Sequence, residues 1–324
     1  MREMQGAEQM REISEACRSI LPTHDTIRQR HDHASRKTHH PPGPGVPGAA
    51  VWDAAVHVWA PEAEAREFPY PGGSPPGPGS TELLLARMDA AGVGAAVVVQ
   101  PINHKFDHAY VARALRRHPE RLVGMLLADP TPGGGGEAEL RRLVAEEGFR
   151  GARFNPALFE GEEMDCGVGR AMFRACGELG VPVGFMTFKG FGLYFESIRA
   201  LLDHSPATPV IIDHFGFCRG EGVPEFAQLL QLAGHPQVHV KLSAFFRVSS
   251  EQAPFPDTRG MVAQLLEAFG PERLLLGTDF PFVEDVEGGY AAAAGVLRAQ
   301  GGLSAAELAW VCGGTARKLF AGGA

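Results

Sequence analysis

The chain contains 324 residues, of which 44% are hydrophobic and 21% are charged, and its formal net charge is −8. This composition is ordinary for a globular protein with a sizeable core, and an acidic balance without a basic stripe argues against a nucleic-acid partner. No membrane span is expected either, because the most apolar run, Ala95 to Val99, is only long enough for a β-strand.

Residues 1–50 are predicted to form a disordered tail that ends in a Pro/Gly linker around Pro41 to Gly45. The tail lacks the apolar segment of a secretory signal, and its acidic residues argue against a transit peptide. The five scattered cysteines are typical of reduced thiols rather than of a disulfide framework. We therefore expect a soluble, cytoplasmic protein, with organelle import through the tail left open and with no indication of its oligomeric state.

From Val51 onward, short apolar runs alternate with amphipathic stretches, a pattern typical of βαβ units. The runs predict a single (β/α)8 TIM barrel over residues 51–324. The predicted strands are Val51–Val58, Ala95–Gln100, Leu122–Ala128, Gly151–Asn155, Pro182–Met186, Pro209–Asp213, Val238–Ser243 and Arg273–Gly277. The predicted helices are Thr81–Ala91, His108–Arg117, Glu137–Glu147, Ala171–Leu179, Phe195–His204, Glu225–Ala233, Arg259–Phe269 and Gly288–Ala299, followed by two trailing pieces, Leu303–Val311 and Ala316–Phe320.

An open doubly wound sheet is the structural rival of the barrel. That fold brings a glycine-rich phosphate turn after its first strand. Here the first strand leads into Trp59-Ala60-Pro61 instead. The barrel is therefore favoured.

Polar side chains cluster at the carboxyl ends of the predicted strands, where the loops of a β/α barrel share one mouth and where its chemistry takes place. They are His57 after the first strand, Arg153 and Asn155 on the fourth, Lys189 after the fifth, His214 after the sixth, Arg247 after the seventh and Asp279 after the eighth. A wall this polar is costly to bury unless a ligand occupies it. The barrel mouth is the predicted active site.

Three segments carry a family resemblance. Asp53 to Trp59 resembles the first-strand motif Asp-x-His-x-His of the amidohydrolase-related (amidohydrolase 2) family, a group of barrels like the metal-dependent hydrolases. Asp213-His214-Phe215-Gly216 resembles its sixth-strand motif, and Gly277-Thr278-Asp279-Phe280-Pro281 its eighth-strand motif. Residues 150–155 and 241–247 look most like the branch that contains 2-pyrone-4,6-dicarboxylate lactonase. The resemblance implies lactone hydrolysis without a metal.

The chain departs from the family pattern at two positions. Ala55 stands where the family places the first histidine of its pair, and residues 186–189 lack the histidine that metal-using relatives place after strand five. His57, His214 and Asp279 remain as a minimal ligand set for a single divalent zinc or manganese ion. Because two family ligands are missing, we expect no cofactor and keep the metal as the alternative.

The predicted reaction is hydrolysis of a lactone or similar ester that carries a carboxylate, so the expected partner is a small anionic substrate. Asp279 would activate water as general base, while His57 and His214 would polarise the carbonyl. The substrate itself would be bound by Arg153, Asn155, Lys189 and Arg247. The two arginines would hold its carboxylates, since a guanidinium matches a carboxylate in bidentate fashion. Two alternatives are a metal-dependent decarboxylase or amidohydrolase of the same family, and a catalytically silent small-molecule-binding barrel, which Ala55 would explain.

Overall fold

The computed structural model describes residues 50–320. Within this range the chain forms one sheet of eight parallel strands, each paired with the next in chain order. The strands are β1 (Val51–Val56), β2 (Val93–Val99), β3 (Leu122–Leu127), β4 (Phe149–Phe154), β5 (Val183–Phe185), β6 (Val210–Ile212), β7 (Val238–Ser243) and β8 (Leu274–Gly277). The predicted (β/α)8 barrel is confirmed.

Helices alternate with the strands and pack around them. They are α1 (Thr81–Ala91), α2 (Ala109–Arg117), α3 (Gly136–Glu146), α4 (Gly167–Leu179), α5 (Phe191–His204), α6 (Pro224–Gln231), α7 (Phe245–Val248), α8 (Arg259–Phe269), α9 (Gly289–Ala294), α10 (Val296–Gln300), α11 (Ala305–Ala309) and α12 (Thr315–Phe320). The prediction of one eighth helix over Gly288–Ala299 was wrong, because the chain breaks at Gly295 into α9 and α10. The short helix α7, which carries Arg247, was not predicted.

Helix ends follow local sequence where the signals are strong. The Ser80 hydroxyl accepts a hydrogen bond from the Leu83 N–H at 3.2 Å and so begins α1. Gly92 ends the same helix with φ 70°, a left-handed conformation that costs glycine little. The predicted helix Glu225–Ala233 ends earlier in the structure, since α6 stops at Gln231 and a 3₁₀ turn, Leu232–Gly234, follows.

The barrel closes where β1 meets β8. The Asp279 N–H donates to the Ala55 carbonyl at 2.8 Å, and the His57 N–H donates to the Phe280 carbonyl at 2.7 Å. Beside these bonds, the buried Asp53 carboxylate accepts from the Thr278 N–H at 2.9 Å and from the Thr278 hydroxyl at 2.6 Å. Burial outweighs these hydrogen bonds and raises the pKa of Asp53 to about 6. Asp53 therefore joins the first strand to the last.

The interior changes character along the strands. Val97, Ile211 and Leu275 fill the part nearer the amino ends, where Phe320 of α12 packs against them. Because alternate residues of a strand share a face, the same inward face carries Asp213 and Lys241 farther toward the carboxyl ends. An apolar floor thus supports a polar mouth.

The predicted tail lies outside the described residues, apart from Ala50. Within residues 50–320, no helix combines the length and the apolar character that crossing a membrane requires.

Candidate active site

Asp279 is the centre of the polar mouth. It follows β8 with φ 66°, a sharp backbone turn that aspartate tolerates better than most residues. Its Oδ1 lies 3.5 Å from His57 Nε2 and 3.8 Å from His214 Nε2, and its Oδ2 accepts from Arg247 Nε at 2.8 Å. All four side chains are buried. The structure thus brings the three predicted catalytic residues together, with Arg247 as a direct partner.

Two opposing influences set the charge of Asp279. Burial alone raises the pKa of this carboxyl, but the positive charge of Arg247, together with the contacts to His214 and His57, outweighs it. The net effect holds the pKa of Asp279 well below its usual range. Asp279 is therefore a carboxylate at neutral pH.

The proton position on His57 follows from its second contact. Its Nδ1 lies 2.9 Å from the Val99 carbonyl oxygen, which can only accept, so Nδ1 carries the hydrogen. In the neutral ring, Nε2 then presents a lone pair toward Asp279. The neutral form of His57 can accept a proton or a hydrogen bond at the site but has no proton there to donate.

His214 is held by a partner on β7. Its Nδ1 lies 2.8 Å from the Ser243 hydroxyl oxygen. Burial lowers the pKa of His214 to about 4, more than the nearby carboxylates raise it. The ring is therefore neutral at neutral pH, and a Ser243 hydroxyl that donates to Nδ1 leaves a hydrogen on Nε2. Ser243 was visible at a strand end in the sequence, but nothing there indicated that it contacts His214.

Three buried charges form a second group around Asp213, the residue before His214. Arg153 Nη2 donates to Asp213 Oδ2 at 2.7 Å, and Lys241 Nζ lies 2.9 Å from Asp213 Oδ1. Burial raises the pKa of Asp213, but the two cations outweigh this and hold it well below its usual range. Arg153 is thus placed by Asp213, a contact that the sequence did not predict.

Two guanidinium groups keep donors without acceptors. Among the described residues, Arg153 Nε and Arg247 Nη1 are buried and have no hydrogen-bond partner. The Arg247 guanidinium also lies 5.0 Å from the ring centroids of Phe246 and Phe282, which restrict its movement. Each arginine therefore keeps one buried donor that forms no hydrogen bond within the described residues.

The remaining predicted substrate residues already have partners. The Asn155 side-chain oxygen accepts from the Ala157 N–H at 3.2 Å, as in a turn cap. Lys189 is about half exposed and forms an ion pair with Glu162, which also accepts from the Tyr194 hydroxyl. The structure does not bring Lys189 into contact with Asp279 or the histidines, and its role in substrate binding stays a prediction, as does that of Asn155.

The side chains present do not fit a divalent metal. Among residues 50–320, no group of three or more His, Cys, Asp and Glu side chains is arranged to hold a metal ion. Arg247 occupies Asp279 Oδ2, so a cation already neutralises the carboxylate that would have to bind the metal. Ala55 has no ligand atom. Its side chain packs against Gly277 of β8, where an added Cβ would come within 2.6 Å of the Ala55 Cβ. We derive no catalytic step through a metal.

Known proteins place this barrel in a family. The family model described as amidohydrolase matches residues 52–322, so the chain belongs to the amidohydrolase family. It is 29% identical over 246 residues to 4-sulfomuconolactone hydrolase of Hydrogenophaga intermedia, covering 71% of this chain and 74% of that protein. It is 27% identical over 218 residues to L-fucono-1,5-lactonase of Burkholderia ambifaria, covering 63% and 70%.

A solved structure shares the same fold. The structure from Pseudomonas putida, assigned as a 2-pyrone-4,6-dicarboxylic acid hydrolase, superposes with a TM-score of 0.70 at 26% identity and covers 84% of this chain and 98% of that one. The predicted family is confirmed. The chain is a hydrolase of the amidohydrolase family.

Proposed function

We propose that this hydrolase opens a lactone that carries a carboxylate, without a metal. The observation that carries the proposal is a pair of buried donors without partners among the described residues: Arg247 Nη1, on the guanidinium that binds Asp279, and Arg153 Nε, on the guanidinium that binds Asp213. Leaving a buried neutral donor without an acceptor costs about 1–3 kcal/mol of stability, and a charged donor costs more. A substrate carboxylate that accepts from both arginines would remove this cost at both positions. The names of the relatives, two of them lactone hydrolases, support a ring ester as the reacting group.

The geometry suggests how water is activated. The gaps of 3.5 and 3.8 Å between Asp279 Oδ1 and the two Nε2 atoms are too long for direct hydrogen bonds. A water to one side of these atoms, within hydrogen-bond distance of Asp279 Oδ1 and His57 Nε2, could donate one hydrogen to Asp279 and the other to the lone pair of His57. This assigns His57 to orienting the water, whereas the sequence suggested that it polarises the carbonyl.

The reaction then proceeds in two steps. The water oxygen bonds to the lactone carbonyl carbon while Asp279 takes its proton, and the oxyanion accepts a hydrogen bond from His214 Nε2–H, worth about 3 kcal/mol in comparable sites. The ring C–O bond breaks next, and the leaving oxygen takes the proton from Asp279. The products are a new carboxylic acid and an alcohol or enol, so the enzyme returns to its starting state.

The test is a panel of lactones and carboxylated pyrones, assayed with and without added zinc. We expect turnover of at least one carboxylated lactone, loss of at least a thousandfold in kcat for Asp279→Asn, and no effect of zinc. Asp203→Asn, the same change on the exposed face of α5, is the matched control and should retain full activity.

Two outcomes would replace the proposal. Stoichiometric metal whose removal stops turnover would favour the metal-dependent decarboxylase or amidohydrolase. Binding of carboxylated lactones without turnover of any of them would favour the silent barrel, and activity gained by Ala55→His would then identify the missing group.

A further inference from the structure

Lys241 is the buried charge that the proposed mechanism leaves unused. It lies on β7 and is fully buried, in a layer that β/α barrels usually fill with branched aliphatic side chains. Taking an ammonium group out of water costs several kcal/mol, and one carboxylate, Asp213, is its ion-pair partner among the described residues. Its other close polar contact is the Met125 sulfur at 3.9 Å. An apolar residue would fill this place at lower cost.

Lys241 affects which hydrogen bonds Arg153 can form with Asp213. A carboxylate and a guanidinium ordinarily prefer a fork, in which two parallel N–H groups reach the two oxygens. Here Lys241 Nζ lies 2.9 Å from Oδ1 and forms an ion pair with it, without the angles of a hydrogen bond, and Arg153 reaches only Oδ2, through Nη2. The Arg153 Nε–H, which the fork would have used, is buried without an acceptor.

We infer that Lys241 is a positioning residue that keeps the Arg153 Nε–H free for a substrate carboxylate by occupying Asp213 Oδ1. The inference rests on the proposed function, because it assumes that Arg153 binds the substrate anion. Without Lys241, Arg153 closes its fork on Asp213, and its Nε–H is no longer available to a substrate carboxylate. With Lys241 in place, Asp213 anchors Arg153 at one nitrogen only.

The experiment measures binding of pyridine-2,4-dicarboxylate, an unreactive planar dicarboxylate, to the full chain by isothermal titration calorimetry. We expect Lys241→Met to weaken binding about tenfold or more, the usual cost of a lost hydrogen bond to a charged group. In an Arg153→Lys background, whose ammonium group cannot form the fork, adding Lys241→Met should cost less than threefold further. A merely structural role of Lys241 would give equal losses in both backgrounds, and that result would overturn the inference.

Two further measurements keep the test decisive. If Lys241→Met does not fold, a structure of the wild-type complex settles the point: Arg153 Nε must donate to the probe, and an Nε left without an acceptor overturns the inference. Failure of the proposed anion site looks different, because the wild type would then not bind the probe at all. If Arg153→Met abolishes binding and Lys241→Met does not change it, the anion site stands and only the role of Lys241 falls.

Discussion

Replacing Asp53 by asparagine should remove a pH dependence from the stability of the barrel. Asp53 has a pKa of about 6 in the folded protein against an ordinary value of 3.8. The folded state therefore holds this proton more tightly than the unfolded state, so the stability that Asp53 contributes falls as the pH rises between these values. The full difference amounts to about 3 kcal/mol, and about 2 kcal/mol of it falls between pH 4.5 and 7.5.

Urea unfolding of wild type and Asp53→Asn at pH 4.5 and 7.5 measures this difference directly. The asparagine oxygen can still accept from the Thr278 N–H. Any cost of the substitution that does not depend on pH cancels when the two pH values are compared. We expect the free energy of unfolding of the variant, relative to wild type, to increase by about 2 kcal/mol at the higher pH. A difference that stays the same at both pH values would refute the reasoning.

Thr278→Val independently checks the assignment of this pH dependence to Asp53. Relative to wild type, its free energy of unfolding should change with pH in the opposite direction to that of Asp53→Asn. The Thr278 hydroxyl donates to Asp53 at 2.6 Å, and this hydrogen bond lowers the pKa of Asp53 against the effect of burial. Losing it should destabilise the protein more at pH 7.5, where Asp53 is charged, than at pH 4.5. Equal destabilisation at both pH values would show that the hydroxyl does not support the charge.

Two further experiments test the site, and a third tests a buried histidine outside it. Arg247→Met removes the cation that holds the pKa of Asp279 down, so burial then raises this pKa and the acid limb of kcat/KM should move to higher pH; an unmoved limb would exclude Asp279 as the base. Dialysis of the full chain against EDTA should leave lactone turnover within twofold, and loss that zinc restores would contradict the metal-free mechanism. His104→Phe loses bonds to the Ala60 N–H and the Pro69 carbonyl, so urea unfolding should show a loss of about 1–3 kcal/mol, with an unchanged midpoint as the contrary result.

Much of the fold was predictable because the signals are local. Buried parallel strands appear as short apolar runs, and Gly92 and Ser80 mark helix ends through contacts within a few residues. The break at Gly295 was not predictable in the same way, because an isolated glycine inside a helical pattern is often tolerated. The position of the polar residues at strand ends followed from the parallel topology alone.

The partners of long side chains could not be read from the sequence. Arg247 was expected to bind substrate, and the structure gives its Nε to Asp279, which leaves Nη1 for that role. Such a choice depends on which carboxylate the folded chain brings within reach, and Arg247 and Asp279 are 32 residues apart in sequence. The same holds for Lys189, which pairs with Glu162.

The bonds between β1 and the segment after β8 link the closing of the barrel to the assembly of the proposed active site. The backbone N–H groups of His57 and Asp279 form two bonds that join the first strand to the last, so two residues proposed to act in the reaction also close the barrel. Contacts between residues so far apart in sequence form late, because the loop they close loses the most entropy. During refolding, the return of enzymatic activity should therefore coincide with the final closing of the ring, after the intervening strands and helices have assembled.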